Sequence, residues 1–368
     1  AADFGRRAVV LTGARALRAT GVLDAALAGL AAAGVSARVY TVAGEPTPEW
    51  VDRVVAETRG APGGHDTGVD LVVALGGGSA LDAGKAVAAM LPQAVGVERF
   101  LEGVGDLTHD GRKVPLVAVP TTAGTGSEAT VNAVLSRVGP GGFKASLRHP
   151  HLAPDVALVD PRLALSCPPE VTAACGMDAL TQLLEAYVST QASPMTDALA
   201  ESGLAAVRDS LLPAVREGAT DLAARTGMAY AALLSGLALA NAGLGVVHGL
   251  AGLIGGMVAV PHGVVCGTLV GAATRATIAR LRRVGGAGLR KYANAGRALG
   301  AACDGDEACC AFLVDRLEEW VEALRLPRLG GYGLTAENVE SIAARRPNKN
   351  NPVRLEADEI AAVLRERM

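Results

Sequence analysis

VDLVVALGGGSALDAGK, residues 69–85, joins a strand pattern to a helix pattern through three consecutive glycines. Residues 69–75 form an apolar run broken only by Asp70, which is typical of a strand covered by helices on both faces. Glycines after such a strand let a pyrophosphate approach the backbone, and Ser79 is placed to cap the following helix. Free N–H groups and the helix dipole bind phosphate at such a turn. The stretch therefore predicts a nucleotide-binding α/β unit, with a plain glycine-rich turn as the alternative.

The segments around this stretch repeat its order of strand followed by helix. Further strand patterns occupy residues 8–12, 37–42, 115–119 and 156–159, and helical patterns occupy residues 23–33, 48–58 and 79–90. Such alternation predicts a parallel sheet with helices on both faces. Asp160-Pro161 ends the last strand, because proline cannot continue a sheet ladder. We therefore predict an α/β dinucleotide-binding domain over residues 1–160 and an all-helical domain over residues 161–368.

A second polar loop follows the strand pattern at 115–119. Its sequence, Pro-Thr-Thr-Ala-Gly-Thr-Gly-Ser-Glu at 120–128, places hydroxyl groups and glycines after the carboxyl end of that strand. Ligands in open α/β sheets bind at this end of the strands. The loop therefore indicates a ligand site, with an ordinary solvated loop as the alternative.

Residues 226–274 contain no Asp, Glu, Lys or Arg. A membrane span, which needs about 20 strongly apolar residues, is one explanation for so long a charge-free run. Asn241, Pro261 and six glycines between Gly243 and Gly256 dilute the run, and no aromatic belt brackets it. We therefore interpret it as helices buried in a large helical core.

Two histidines lie inside the charge-free run. A buried imidazole must be hydrogen-bonded or bound to a metal, because leaving it unpaired costs about 1–3 kcal/mol. One such histidine is usually a satisfied core residue, but His248 and His262 occur together. Asp178 and Gln182 are four residues apart in a helical pattern and project from one face. These four side chains are candidate ligands of one divalent ion, and ordinary helix polarity is the alternative for the pair at 178 and 182.

Composition excludes several classes of function. The net charge of −3 over 368 residues offers no electrostatic attraction to nucleic acid or to a membrane surface. No apolar signal segment follows the charged residues in 1–8. The six cysteines show no C-x-x-C spacing, so we expect reduced thiols in a cytoplasmic protein. They are Cys167, Cys175, Cys266, Cys303, Cys309 and Cys310.

Together these stretches resemble the iron-containing (group III) alcohol dehydrogenases. The matching motifs lie at 76–85, 120–128, 154–161, 176–181, 185–189 and 261–263, with His248 between the last two. The resemblance covers most of the chain in order. It implies a dehydroquinate synthase-like architecture, with an N-terminal dinucleotide-binding domain, a C-terminal all-helical domain and a metal in the cleft between them. It also implies reversible NAD(P)-dependent reduction of a small aldehyde or ketone, usually in a homodimer or larger homo-oligomer.

The resemblance further implies roles for individual residues. Asp178, His248 and His262 fall on metal ligands and are the candidate catalytic residues, and Gln182 falls on the fourth ligand position. Lys144 falls where a family lysine reaches the ribose of the cofactor. The cofactor-binding candidates are Gly13, Gly77, Gly78, Ser79, Asp82, Thr121, Thr122, Thr125, Ser127 and Lys144.

This chain departs from the family pattern at two positions of the implied site. Most members have a histidine where Gln182 stands, and an amide oxygen is a weaker ligand for a transition metal than imidazole. We therefore expect weaker metal binding, or tolerance of Zn²⁺ beside Fe²⁺. Gly252 replaces a histidine that is thought to relay protons, so a relay must use water or the ribose hydroxyls of the cofactor. The chain also starts at the first cofactor strand, without a short segment that usually precedes it.

The end of the first strand bears on the choice of cofactor. Members that prefer NAD often carry an aspartate there, which repels the 2′-phosphate of NADP. Gly13 occupies that place, and Arg15 and Arg18 follow it in sequence. We therefore expect NADP(H) to be favoured over NAD(H).

These features lead to one main hypothesis and two alternatives. The main hypothesis is a metal-assisted alcohol dehydrogenase or aldehyde reductase, in which Fe²⁺ or Zn²⁺ polarises the oxygen of a small substrate. A metal-free reductase resembling maleylacetate reductases is the first alternative, because the set of ligands is depleted. A catalytically degenerate relative that only binds a dinucleotide is the second.

Overall fold

Two compact units make up the part of the chain that the computed structural model describes, which is residues 1–13, 16–59, 68–286 and 288–368. The first unit comprises Ala1–Thr122, Ser127–Arg137 and Lys144–Ser166. The second comprises Ala123–Gly126, Val138–Phe143 and Cys167–Met368. The domain boundary that the sequence places at Asp160-Pro161 stays a prediction.

A five-stranded parallel sheet is the frame of the first unit. The strands of the chain are β1 Arg7–Gly13, β2 Ser36–Val42, β3 Leu71–Gly76, β4 Leu116–Pro120, β5 Asn132–Arg137, β6 Phe143–Arg148 and β7 Val156–Ala157. The large sheet has the order β2-β1-β3-β4-β7, with every neighbouring pair parallel. The helices of the first unit are α1 Ala16–Ala19, α2 Val22–Ala32, α3 Pro48–Thr58 and α4 Gly78–Met90. The predicted α/β class is confirmed, and each of the five strand patterns forms a strand.

The strand order reverses direction between β1 and β3. The chain runs from β1 outward to β2 and then returns to the other side of β1 to form β3 and β4. In open parallel sheets, ligands bind in the crevice beyond the carboxyl ends of the two strands at such a reversal. Gly13 ends β1 and Gly76 ends β3, so the topology places the predicted glycine turn beside this crevice.

Strands β5 and β6 form a separate two-stranded sheet that the sequence patterns do not predict. Most of their residues are only half-buried, so neither strand shows an unbroken apolar run or a strict alternation of apolar and polar residues. Their pairing depends on the rest of the unit rather than on their own apolar pattern.

The start of α4 also differs from the prediction. Ser79 is predicted to cap this helix, but Gly77 is the capping residue, no side chain caps it, and Ser79 lies in the first turn. A single residue separates the end of β3 at Gly76 from the first helical residue, Gly78. The tight turn therefore brings backbone N–H groups, rather than a serine hydroxyl, to the start of the helix.

Helices account for the regular structure of the second unit after Cys167, as predicted. They are α5 Pro169–Val188, α6 Pro194–Glu217, α7 Leu222–Ala242, α8 Val246–Met257, α9 His262–Val284, α10 Gly288–Ala298, α11 Asp306–Ala323, α12 Ala336–Ala344 and α13 Ala357–Glu366. One apolar cluster joins α5, α6, α7, α10 and α11, a second joins α8, α12 and α13, and α9 contributes buried residues to both.

The charge-free run forms α7, α8 and α9, which confirms the prediction that it folds as core helices. Two of these helices, α7 and α9, are long and apolar enough to cross a membrane. However, 56% of the apolar window of α7 and 78% of that of α9 are buried inside the chain. Burial in the two apolar clusters explains why charged residues are missing from this stretch.

The cysteines differ in part from the expectation of six reduced thiols. Cys303 and Cys309 are joined by a disulfide, with their Cα atoms 5.5 Å apart. The other four cysteines are thiols, as expected, and Cys266 and Cys310 among them are buried. The expectation is therefore wrong for the pair at 303 and 309, whose loop folds back far enough to bring the two side chains together.

Candidate metal centre and cofactor loops

Helix α5 presents three polar side chains from one face. Asp178, Gln182 and Glu185 are spaced at i, i+4 and i+7, and each is at least 95% buried. A buried carboxylate or amide must be paired, because its desolvation otherwise destabilises the fold. The three side chains therefore need partners from the neighbouring helices α7, α8 and α9.

Helices α8 and α9 supply these partners near their N-termini. His248 is in the first turn of α8, His262 is the first residue of α9, and Cys266 follows His262 by one helical turn. One potential ligand atom from each of Asp178, His248, His262 and Cys266 lies within 4.8 Å of the others. The structure thus brings together the three residues predicted as both catalytic and metal-binding, and adds a cysteine.

The separations within the cluster suit coordination to one ion. Asp178 Oδ1 lies 3.4 Å from His248 Nε2 and 3.8 Å from His262 Nε2. Cys266 Sγ lies 3.6 Å from each of the same two nitrogen atoms. Asp178 Oδ1 is buried and accepts no hydrogen bond. An orphaned carboxylate oxygen beside two imidazole nitrogens is the arrangement that a divalent ion would satisfy.

Glu185 orients His248. Its Oε2 lies 2.7 Å from His248 Nδ1, and its Oε1 accepts a hydrogen bond of 2.6 Å from the backbone N–H of Val247. The first contact places the proton of the imidazole on Nδ1 and leaves the Nε2 lone pair facing the cluster. A carboxylate behind a histidine ligand fixes its tautomer and raises its basicity. The geometry therefore gives Glu185 a positioning role that sequence reasoning missed.

Gln182 makes hydrogen bonds at both ends of its amide group. Its Nε2 donates to Asp178 Oδ2 at 3.0 Å, and its Oε1 accepts from Ser235 Oγ at 2.7 Å. The first contact holds the Asp178 carboxylate with its other oxygen towards the two histidines. Its predicted role as a metal ligand stays a prediction.

Burial and charge shift the pKa values in the cluster in opposite directions. Burial raises the pKa of Asp178, but His262 and His248 lower it by more, so its net pKa is below the usual value. Burial lowers the pKa of His248, whereas Cys266, Asp178 and Glu185 raise it well above the usual value. The neighbouring groups, and not burial, therefore decide the direction of both pKa shifts.

In the first unit, the glycine turn and the polar loop lie side by side. Thr121 N–H donates to Gly76 O at 2.9 Å, and Gly76 pairs with Pro120 across β3 and β4. A Cβ atom at Gly77 would lie 3.3 Å from the Thr122 side chain. The turn and the start of the loop therefore form one continuous surface at the carboxyl ends of β3 and β4.

Asp82 and Ser127, both predicted to bind the cofactor, contact each other. Ser127 Oγ lies 2.6 Å from Asp82 Oδ1, and Lys85 Nζ lies 3.4 Å from the same oxygen. Lys85 is 1% exposed and also donates to Thr130 Oγ1 at 2.7 Å. This buried network connects α4 to the segment after β4. Asp82 and Ser127 therefore have a structural role in addition to any contact with the cofactor.

The remaining cofactor candidates are distributed over both units. Gly78 and Ser79 lie in the first turn of α4, and Lys144 lies in β6, where its ammonium group forms an ion pair with Glu45. Thr125 belongs to the short segment Ala123–Gly126, which is grouped with the second unit. Arg15 lies outside the described residues, whereas Arg18 is exposed in α1.

Two signals in the sequence point to the residues that were missed. Glu185 follows Asp178 by seven residues, and Cys266 follows His262 by four, so each lies on the same helix face as a predicted ligand. The sequence does not show, however, that α8 and α9 begin against that face of α5.

Comparison with known proteins decides the family. The model of the iron-containing alcohol dehydrogenases matches residues 1–161, and the model of the C-terminal domain of that family matches residues 172–368. The chain belongs to the iron-containing alcohol dehydrogenase family. The predicted family, its fold and its class as an oxidoreductase are thereby confirmed.

Individual relatives agree with this assignment. Long-chain-alcohol dehydrogenase 1 of Geobacillus thermodenitrificans is 36% identical over 328 residues, which cover 88% of this chain and 78% of that protein. The crystal structure of a 1,3-propanediol oxidoreductase matches with a TM-score of 0.87 and 30% identity, covering 99% of this chain and 92% of that one. The crystal structure of a sulfoacetaldehyde reductase of Bifidobacterium kashiwanohense, in complex with NAD⁺, matches with a TM-score of 0.80 and 27% identity. The match covers 98% of this chain and 91% of that one.

Proposed function

We propose that this iron-containing alcohol dehydrogenase family member is a divalent-metal-assisted, NADP(H)-preferring alcohol dehydrogenase or aldehyde reductase. The observation that carries the proposal is the cluster of Asp178, His248 and His262, with a buried aspartate oxygen that accepts no hydrogen bond. A carboxylate and two imidazoles form a donor set for a first-row transition metal. This donor set fits an iron or zinc ion.

Each residue of the cluster would have a separate role in binding the ion. Asp178 would supply charge, the Nε2 atoms of His248 and His262 would supply lone pairs, and Glu185 would keep His248 in the tautomer that can bind. A bound divalent ion would polarise the carbonyl or alcohol oxygen of the substrate as a Lewis acid. A Cβ atom at Gly252, one turn after His248, would meet nothing within 4 Å beyond its chain neighbours and the backbone of its own helix. The open space there leaves room for substrate or water where the family often has a histidine.

The first unit would bind the dinucleotide. The N–H groups at the start of α4 lie at the carboxyl end of β3, where the dipole of the helix attracts a pyrophosphate. Gly13 at the end of β1 and Thr121 and Thr122 after β4 flank this turn on the two neighbouring strands. The nicotinamide supplies the hydride chemistry, and the protein supplies position and electrostatics.

The absence of a carboxylate at the end of β1 supports the preference for NADP(H). Gly13 has an extended backbone conformation, and a Cβ atom there would meet nothing within 4 Å beyond its chain neighbours, so an acidic side chain would fit. Without it, nothing at this position repels a 2′-phosphate.

Gly13→Asp is therefore expected to shift the preference from NADPH to NADH. Like charges about 4 Å apart repel by about 1–4 kcal/mol between the dielectric of water and that of a protein surface. The ratio of kcat/KM for NADPH to that for NADH should fall by about 5- to 900-fold, as measured by steady-state kinetics with one aldehyde. The exposed Gly29 in α2 also has open space at its Cβ position, so Gly29→Asp is a charge-matched control that should leave the ratio unchanged. A ratio that stays constant in Gly13→Asp would show that the 2′-phosphate binds elsewhere.

The metal content of protein purified without chelator tests the proposed function most directly. Elemental mass spectrometry is expected to find a single iron or zinc ion per chain, and removal of the ion should abolish aldehyde reduction while NADPH still binds. Activity that survives complete removal of metal would instead support the metal-free reductase. Tight cofactor binding without turnover of any aldehyde in a broad panel would support the degenerate relative.

We propose a small alcohol or aldehyde as substrate, a homodimer or larger homo-oligomer as the assembly, and the cytoplasm as the location. The relatives are named for substrates of very different carbon-chain length, long-chain alcohols and 1,3-propanediol. Measuring kcat/KM for a series of aldehydes of increasing carbon-chain length would therefore define the substrate.

A further inference from the structure

The identity of the fourth metal ligand follows from the chemistry of Gln182 and Cys266. Gln182 Nε2 lies 3.0 Å from Asp178 Oδ2, and an ionised carboxylate only accepts hydrogen bonds. The NH₂ group must therefore face Asp178. The amide oxygen then faces Ser235, whose hydroxyl is 2.7 Å away. The oxygen atom through which Gln182 would bind a metal is thus held by a hydroxyl group of α7.

Cys266 offers a donor atom that faces the cluster directly. It lies one helical turn after His262 in α9, and its side chain is fully buried. Its Sγ lies 3.6 Å from both His248 Nε2 and His262 Nε2. A sulfur atom equidistant from two potential ligand nitrogens is placed to share an ion with them.

The separations match the edges of a tetrahedral site. Zinc bonds of about 2.3 Å to sulfur and about 2.0–2.1 Å to nitrogen or oxygen give S···N edges of about 3.5–3.6 Å and N···O edges of about 3.3–3.4 Å. Both S···N distances are 3.6 Å, and the two N···O distances are 3.4 and 3.8 Å. These four of the six separations therefore lie within about half an ångström of tetrahedral edges before any ion is bound, and a substrate oxygen would enter as a fifth ligand.

We propose that the thiolate of Cys266, and not Gln182, is the fourth ligand of the metal site, and that Gln182 positions Asp178. This proposal rests on the metal-assisted function proposed for the chain. Binding forms a metal–sulfur bond and releases the thiol proton to solvent, with no change of oxidation state. The aspartate and the thiolate together neutralise a divalent ion, whereas one aspartate and three neutral histidines leave it with a net positive charge.

The ligand set has a consequence for metal choice. Thiolate is a soft ligand that favours Zn²⁺ and Co²⁺ over Mg²⁺, Mn²⁺ or Ca²⁺, which prefer oxygen ligands. A neutralised ion is also a weaker Lewis acid than a charged one. Cys266 therefore favours zinc in this site. It also compensates for the histidine ligand that most members have at position 182 and that this chain lacks.

Cobalt substitution tests the proposal, because a cobalt–thiolate bond absorbs in the near ultraviolet by charge transfer. Titration of metal-free full-length protein with Co²⁺ is expected to produce this band, saturating at one ion per chain. Cys266→Ser should bind Co²⁺ without the band and should lower zinc affinity by more than about 100-fold, beyond the range of outer-shell changes. Gln182→Ala should keep the band and lose about 10- to 100-fold in zinc affinity.

Cys310→Ser is the matched control, since Cys310 is also buried and free but lies in α11 outside the cluster. It should keep the band and the zinc affinity. X-ray absorption at the zinc edge of the wild-type protein needs no variant, and should show one sulfur at about 2.3 Å. Stoichiometric metal without a sulfur neighbour would overturn the role of Cys266 and leave the metal-assisted function intact. Failure to bind any metal, in protein that binds NADPH, would overturn both.

Discussion

Asp178→Ala is expected to abolish metal binding and to lower kcat/KM for aldehyde reduction by about a thousandfold or more. Polarisation by a metal contributes several kcal/mol to the stabilisation of the transition state, and each ~1.4 kcal/mol corresponds to a factor of ten in rate. Asp178 supplies the buried oxygen that accepts no hydrogen bond within the fold. The measurement is metal content by elemental mass spectrometry, together with steady-state kinetics in the presence of added Zn²⁺ or Fe²⁺.

Two companion measurements separate loss of the metal from loss of the fold. NADPH binding should persist in Asp178→Ala, because the glycine turn proposed to bind the pyrophosphate lies in the first unit. Asp52→Ala is a control, since the Asp52 carboxylate is half-buried and accepts a hydrogen bond from Val97 N–H at 2.9 Å, outside the metal cluster. It should keep both metal and activity. Full activity in a metal-free Asp178→Ala protein would rule out the metal-assisted mechanism.

Lys85→Met is expected to destabilise the protein by about 3–5 kcal/mol, the usual cost of removing one partner of a buried ion pair. The substitution leaves the Asp82 carboxylate, whose side chain is 16% exposed, with Ser127 but without its nearby cation. Methionine keeps most of the volume of lysine, so the change is mainly one of charge. The midpoint of urea unfolding, followed by circular dichroism, should fall clearly relative to the wild type.

The double variant Lys85→Met, Asp82→Asn should regain part of this loss, because neutral asparagine needs no cation. Arg99→Met, which breaks the exposed pair with Asp106, should leave the midpoint nearly unchanged. An unchanged midpoint in Lys85→Met would mean that the hydrogen bonds from Ser127 Oγ and Val134 N–H stabilise the Asp82 carboxylate without the cation.

The sequence predicts best where a local pattern and the tertiary environment agree. The apolar strands β1, β3 and β4 are buried on both faces by the fold, so their composition reveals them. Likewise, the charge-free run predicts α7, α8 and α9, because core helices exclude charge. Strands β5 and β6 are half-buried, so their composition lacks this signal.

Within the candidate site, the sequence predicts the residue types better than their partners. Asp178, His248 and His262 stand out by motif and by their apolar surroundings. The sequence does not predict the start of α4 correctly, because Ser79 is a residue type that often caps helices. In the structure the glycine turn starts the helix two residues after Gly76, and Gly77 is the capping residue. The disulfide between Cys303 and Cys309 likewise depends on how one loop folds.

The amino-acid sequence by itself determined the α/β-then-helical order, the family and three of the candidate metal ligands, because each rests on local pattern or motif. Only the tertiary structure decided that Glu185 orients His248 and that Cys266 faces both histidines. It also decided that the amide group of Gln182 forms hydrogen bonds with Asp178 and Ser235. Three of those contacts, Glu185 with His248, Gln182 with Ser235 and Cys266 with His248, join different helices and residues 18 to 63 positions apart in sequence. Helix packing, which no local pattern specifies, sets which face of α5 the ends of α8 and α9 meet.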